Sequence, residues 1–139
     1  MIDKLSPQAR SDLMARVKNK DTGPELLVRR IAHGLGFRFR LHGNDLPGRP
    51  DLVFRRWRRV IFVHGCFWHR HDCGRATTPR TNTEFWERKF SRNVARDKAA
   101  LEALDAMGWS TLTIWECQTK DGQQLACRLN DFLKDDPAP

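Results

Sequence analysis

What most restricts the fold of this chain is the order in which its apolar periodicities change. Two stretches of helical spacing come first, then three short strand-like runs, a long helical stretch, one more strand and a last helix. Ser6 with Pro7 behind it marks a helix over about 7–17, an N-cap followed by proline in the first turn. Pro24 opens a second helix, with Leu26, Leu27, Ile31 and Leu35 expected on its inner face. Glu25 falls in its first turn and Gly36 lies past its end. Residues 37–41 alternate like a half-buried strand, 42–49 read as loop, and 51–54 and 59–64 are the next two strands. Thr83 is expected to cap a helix running to about Met107, with Phe90, Val94, Leu101 and Leu104 inward and Gly108 ending it. Residues 109–115 are a β-rich strand, and the last helix spans about 122–133. This order reads as an α/β domain, a mixed central sheet flanked by helices.

The length of 139 residues suits about one domain. Hydrophobic residues make up 40%, enough for a core, which argues against a disordered chain. No apolar run approaches the ~18 residues of a membrane span, and the amino-terminal stretch lacks the pattern of a signal peptide. Lys and Arg number 25 against 17 Asp and Glu, a balance of +8, and 18 of those 25 are Arg. Residues 1–37 carry +3, residues 38–98 carry +9 and residues 99–139 carry −4. A basic middle of this kind is a footprint for a polyanion, or else a solvated surface with no partner.

Within that middle, a two-residue turn at 57–58 would set Asp51 across from His64 at the open end of a hairpin, with His69 and His71 nearby. Carboxylate and imidazole at strand ends suit hydrolysis of a phosphodiester: Asp for Mg²⁺, neutral His as base for water. The plainer alternative is a turn-capping Asp51 and a hydrogen-bonded His64. Glu25 is a possible second carboxylate, although acids in a first helical turn commonly just match the helix dipole.

The cysteines are Cys66, Cys73, Cys117 and Cys127. A cytosolic chain rarely uses such residues as stable disulfides. Two lie within a segment, residues 65–82, that also holds His69 and His71, a concentration that points to metal. Free buried cysteines are the alternative, and Cys127 is read as a small apolar residue of the last helix.

The block Gly48-Arg-Pro-Asp51-Leu-Val-Phe54, then Val60-Ile-Phe-Val-His-Gly-Cys-Phe-Trp-His69, His71, Cys73 and a later Trp-Glu-Cys117, closely resembles the very-short-patch-repair endonucleases. Met14 to Lys18, Asp21-Thr22 and Pro24-Glu-Leu26 are similar to that family as well. The resemblance covers about residues 7–135. It implies a restriction-endonuclease-like fold of the PD-(D/E)xK kind and a structural zinc site. It also implies an activity: nicking DNA on the 5′ side of the thymine in a T:G mismatch left by deaminated 5-methylcytosine.

On that resemblance Asp51 is a ligand of catalytic Mg²⁺, with the main-chain carbonyl of Val63 as another. His69 is the general base, and His64 and Glu25 support the hydrated metal and the phosphate. Cys66, His71, Cys73 and Cys117 hold structural Zn²⁺, and Phe67, Trp68 and Trp86 are wedges entering the base stack. Residues 1–139 are one nuclease domain, with 1–20 a DNA-contacting helix and 136–139 a frayed tail. The implied partner is mismatched double-stranded DNA, with mismatch-repair proteins as further partners, for a monomer in the bacterial cytoplasm near the nucleoid. The chain departs from the wider nuclease pattern at Val63-His64, where acid-x-Lys is expected. It departs from a longer His run at Arg70 and Asp72.

Residue chemistry alone leaves several choices open. Three thiolates and one imidazole make a tetrahedral zinc set, but the spacing is not that of a standard finger. Trp86 either reaches DNA or packs on Phe90 four residues on. Arg55, Arg56, Arg58 and Arg59 either meet phosphate or form a solvated edge that discourages strand pairing. A zinc-stabilised DNA-binding module without catalysis, and a nuclease cutting both strands of paired DNA, are the rival functions.

Overall fold

The computed structural model describes residues 22–66, 69–71 and 80–134. Its elements are α1 (Gly23–Gly34), β1 (Arg40–Leu41), β2 (Leu52–Phe54), β3 (Arg59–His64), α2 (Thr83–Ala106), β4 (Ser110–Trp115) and α3 (Gly122–Leu133). The expected helix over 7–17 and the tail lie outside the described residues. No helix among the described residues is long and apolar enough to cross a membrane.

The four strands form one sheet in the order β1-β2-β3-β4. β1 and β2 pair antiparallel, as do β2 and β3, whereas β4 pairs parallel to β3 after the α2 crossover. All six residues of β3 are buried, as a central strand covered on both faces requires. Its side chains divide by parity. Ile61 and Val63 join Val28, Ala32, Leu52, Phe54, Ile114, Leu125, Leu129 and Leu133 in a core that takes in α1 and α3. Val60 and Phe62 join Leu46, Val53 and Leu104 on the α2 side. Each large aliphatic or Phe side chain so buried is worth roughly 1.5–3 kcal/mol, which is what holds the helices to the sheet.

The hairpin between β2 and β3 corrects the expected register. Phe54 pairs with Arg59 and Leu52 with Ile61, so four residues turn the chain rather than two. They are a 3₁₀ turn, Arg55–Trp57, closed by Arg58 in the left-handed region at φ 52. The even shift leaves every side chain on its expected face, but moves His64 out of line with Asp51. Arg55 is held by Asp45 at 2.7 and 2.8 Å. Arg59 is buried, donates to the Leu133 carbonyl at 3.3 Å, and is no part of a solvated edge.

Other expectations shift by smaller amounts. β1 is only two residues long. α1 buries Glu25, Val28 and Ala32, while Leu26 and Leu35 are exposed. Thr22 caps that helix by accepting the Glu25 N–H. Thr83 is the first residue of α2 rather than its cap; Asn82 occupies that position in the left-handed region. Val94 is exposed and so is Cys127, which is no core residue. Gly108, at φ +83, ends α2 as expected.

Candidate active site and metal centres

Strand direction gathers the polar residues at one edge. With β2 antiparallel to both neighbours and β4 parallel to β3, the ends of β1, β3 and β4 meet the start of β2. Asp51 immediately precedes β2, and its amide donates to the Ile61 carbonyl at 3.1 Å. Its Oδ2 accepts the Val63 N–H at 2.6 Å, so the carboxylate lies against the end of β3 although His64 is not its cross-strand partner. That partner is His42: the β1–β2 register continued by one step pairs them, and the His42 amide donates to the Asp51 carbonyl at 3.1 Å.

Glu25 reaches the same place from the first turn of α1 and is 2% exposed. Arg29, one helical turn on, donates to Glu25 Oε2 at 3.0 Å, and the same nitrogen lies 3.3 Å from His42 Nε2. Glu25, His42 and Asp51 present donor atoms within 4.8 Å of one another. Burial pushes the Asp51 carboxyl up to about 7; the neighbouring Glu25 carboxylate adds to this, while the Val63 N–H and Arg29 oppose it. A buried carboxyl raised in this way, with a second carboxyl beside it, fits a hard cation, which stabilises the charged form.

A second group stands on the α2 side of β3. His69 Nδ1 and Asp97 Oδ2 are 2.5 Å apart. A carboxylate only accepts, so Nδ1 carries the proton that faces Asp97. His64 stacks on His69 with centroids 3.8 Å apart and planes 4° from parallel. Burial, with the His69 charge next, pushes His64 down to about 4 although Asp97 pulls the other way, so it stays neutral at physiological pH. Its buried Nδ1 has no hydrogen-bond partner among the described residues. A cleft of about 340 Å³ opens here, lined by His64, His69, Asp97, Lys98, Thr113 and Trp115 among others.

A third group holds the sulfurs. His71 Nδ1 lies 3.8 Å from Cys66 Sγ and 3.5 Å from Cys117 Sγ. A tetrahedral zinc ion sets its nitrogen and sulfur ligands about 3.6 Å apart, so these three donors fit one. A tight turn after β3 separates the two imidazoles: the His69 N–H donates to the Gly65 carbonyl and the His71 N–H to that of Cys66. Arg70 between them is left-handed at φ 57, its guanidinium 4.1 Å over the Phe90 ring. Trp115 joins the second and third groups, stacked on His71 at 4.3 Å and edge-on to His64 at 5.3 Å.

Of the expected site residues, Glu25, Asp51, Val63, His64 and His69 thus come together at the sheet end, and Cys66, His71 and Cys117 beside them. Cys73, Phe67 and Trp68 lie outside the described residues. Trp86 is 9% exposed and stacks on Phe90 at 5.8 Å, the packing alternative that its spacing offered. Sequence reasoning missed Asp97, His42 and Trp115. Asp97 had a signal: it lies four and seven residues before Leu101 and Leu104, an acid on an apolar helical stripe. Trp115 was visible only as a strand aromatic. His42 stood in a segment read as loop, where no periodicity marks a partner.

A family model described as DNA mismatch endonuclease Vsr matches residues 2–75. The chain is 46% identical over 133 residues to the type II nicking enzyme V.XorIIP of Xanthomonas oryzae pv. oryzae, spanning 96% of this chain and 98% of that protein. It is 35% identical over 135 residues to the type II nicking enzyme V.NmeAIP of Neisseria meningitidis, spanning 97% and 96%. To the DNA mismatch endonuclease Vsr of Escherichia coli it is 40% identical over 125 residues, spanning 90% and 80%. With a nuclease-like cluster of carboxylates and imidazoles at the sheet edge, these likenesses show that the chain belongs to the DNA mismatch endonuclease Vsr family and is an endonuclease acting on DNA.

Proposed function

We propose that the protein nicks one strand of double-stranded DNA on the 5′ side of the thymine in a T:G mismatch, the first step of a very short patch repair. The observation that carries this reading is the adjacency, at the end of β3, of a buried carboxylate pair and a carboxylate-oriented imidazole. The fold would be the restriction-endonuclease type, acting as a monomer in the bacterial cytoplasm near the nucleoid, with mismatch-repair proteins as possible further partners.

Asp51 and the Val63 carbonyl would hold Mg²⁺, with Glu25 beside them; when bound, that ion supplies Lewis-acid stabilisation of charge on the phosphate and its leaving oxygen. Asp97 fixes the His69 ring and tautomer, so that Nε2 takes the proton of the attacking water. His64, kept neutral by burial, offers Nδ1 to the hydrated site and braces His69 by stacking. Cys66, His71, Cys117 and Cys73 would hold Zn²⁺, which ties the turn after β3 to the end of β4 and so locks His69 in place. Phe67 and Trp68 would wedge into the stack beside the mismatch, where unstacking costs least. Trp86, packed on Phe90 near the start of α2, would join them as a third wedge.

The test is a nicking assay with Mg²⁺ on T:G and fully paired duplexes, comparing the protein with Asp51→Ala and His69→Ala. A single nick in the T-containing strand, lost in both variants, is the expected result. Binding without a metal-dependent nick, or cleavage of both strands of paired DNA, overturns it.

A further inference from the structure

The cross-strand partner of Asp51 is an imidazole that the reading above leaves unused. Its amide is fixed on the Asp51 carbonyl at 3.1 Å, which anchors the His42 backbone beside the carboxylates. Glu25 is in the first turn of α1, His42 follows β1 and Asp51 precedes β2, yet their donor atoms lie within 4.8 Å of one another. An octahedral ion with ligands at ~2.1 Å spaces its donors about 3 Å (adjacent) and 4.2 Å (opposite) apart, so a small closure seats all three on one ion.

A cation already marks the position. The Arg29 nitrogen sits 3.0 Å from Glu25 Oε2 and 3.3 Å from His42 Nε2. A guanidinium only donates, so the partner it leaves to Nε2 is the lone pair, the same pair that would ligate a metal. Arg29 thus bridges a carboxylate oxygen and an imidazole lone pair, the two donor types a divalent ion would use. Its side chain is 14% exposed.

We propose that His42 joins Glu25 and Asp51 as a nitrogen ligand of the divalent cation, and that Arg29 is the place-holder an incoming ion displaces. This deepens the Asp51-centred reading and rests on it. The consequence is selectivity. An all-oxygen site suits Mg²⁺, whereas an imidazole ligand raises affinity for transition-metal ions, Mn²⁺ among them, relative to Mg²⁺.

Mn²⁺ is the probe, because pulsed paramagnetic resonance detects a directly bound imidazole nitrogen. The full chain, His42→Gln, Arg29→Ala and Asp51→Asn are titrated with Mn²⁺ and with Mg²⁺. Gln keeps an acceptor for Arg29 and an oxygen for the metal, but removes the imidazole. The expected result is an imidazole coupling in the wild type that disappears in His42→Gln, with Mn²⁺ binding weakened about tenfold and Mg²⁺ binding changed less than about threefold. Arg29→Ala binds Mn²⁺ several-fold more tightly. Bound Mn²⁺ with no imidazole coupling in the wild type, which needs no variant to fold, overturns the His42 ligand and leaves the Asp51 reading standing. A coupling that persists in His42→Gln comes from His64 or His69 and overturns it equally. Mn²⁺ held as tightly by Asp51→Asn as by the wild type overturns the Asp51 reading and the His42 proposal together.

Discussion

Asp97 Oδ2 lies 2.5 Å from His69 Nδ1, across 28 residues of sequence. One side chain comes from the middle of α2 and the other from the turn after β3. Replacing Asp97 by Asn keeps the shape but lets the ring adopt the other tautomer, with its proton on Nε2. Single-turnover nicking by Asp97→Asn is expected to fall by about 10²- to 10⁴-fold, with DNA affinity and thermal midpoint near those of the wild type. An unchanged nicking rate would remove His69 as the base.

The raised carboxyl of Asp51 makes a stability prediction for the metal-free protein. Its acid is held protonated in the fold up to about 7 but ionises at 3.8 when the chain unfolds. Between those values the folded state binds the extra proton, so this contribution is full below 3.8 and is lost as pH rises through 7. Asp51→Asn removes the loss and still accepts the Val63 N–H. In chelator above pH 7 it is expected to be about 2–4 kcal/mol more stable than the wild type by urea unfolding. Added Mg²⁺ should stabilise the wild type and leave Asp51→Asn unchanged.

His64 carries the opposite pH slope, which is cleanest in the Asp51→Asn background. Its ring stays neutral in the fold down to about 4, whereas the unfolded chain takes up the proton at 6.5. Stability is therefore full above 6.5 and falls as pH drops towards 4, by about 1.4 kcal/mol per pH unit. Adding His64→Gln should flatten that limb of the unfolding profile. A limb that is unaltered would mean that another group is responsible.

Cys66, His71 and Cys117 bring the zinc proposal to the balance and the calorimeter. Cys117→Ser is expected to reduce bound zinc from one equivalent per chain to well below it. The loss of a cross-link between two chain-distant elements should cost roughly 3 kcal/mol, or about 10 °C of thermal midpoint. Full zinc content in the variant would rule Cys117 out as a ligand.

Trp86 separates packing from DNA contact. Buried on Phe90 with Lys89 beside its ring, it should cost about 3 kcal/mol when cut to Ala. Trp86→Phe should recover most of that stability, and a folded Trp86→Ala should bind T:G DNA less tightly than the wild type. Affinity that only follows folding would remove the wedge role.

Legibility followed the range over which each signal acts. α3 spans the expected residues because capping by Asp121 and the apolar spacing of Leu125, Leu129 and Leu133 are local and agree. β3 was equally plain from its unbroken apolar run. The β2–β3 register failed because Arg58 adopts a left-handed turn position that a Gly or Asn would have announced. The inner face of α1 was misjudged because Glu25 displaces an aliphatic residue from it; the polar group is inside for its chemistry. Asp51, His64 and His69 were found through motif and strand ends. Asp97 and His42 reach them through tertiary geometry, which a one-dimensional pattern encodes only as an acid on an apolar stripe or a His in a loop.

The parallel pairing of β3 with β4 sets an order of assembly. Ser110 to Trp115 lie some fifty residues beyond their partners, and such distant pairings close late in folding. A ribosome that has released only the first hundred residues has already made Glu25, Asp51 and His69, but not the strand that carries Trp115 to its place between His64 and His71. The brace between His64 and His71, and with it Cys117 of the sulfur group, is therefore in place only once β4 has docked.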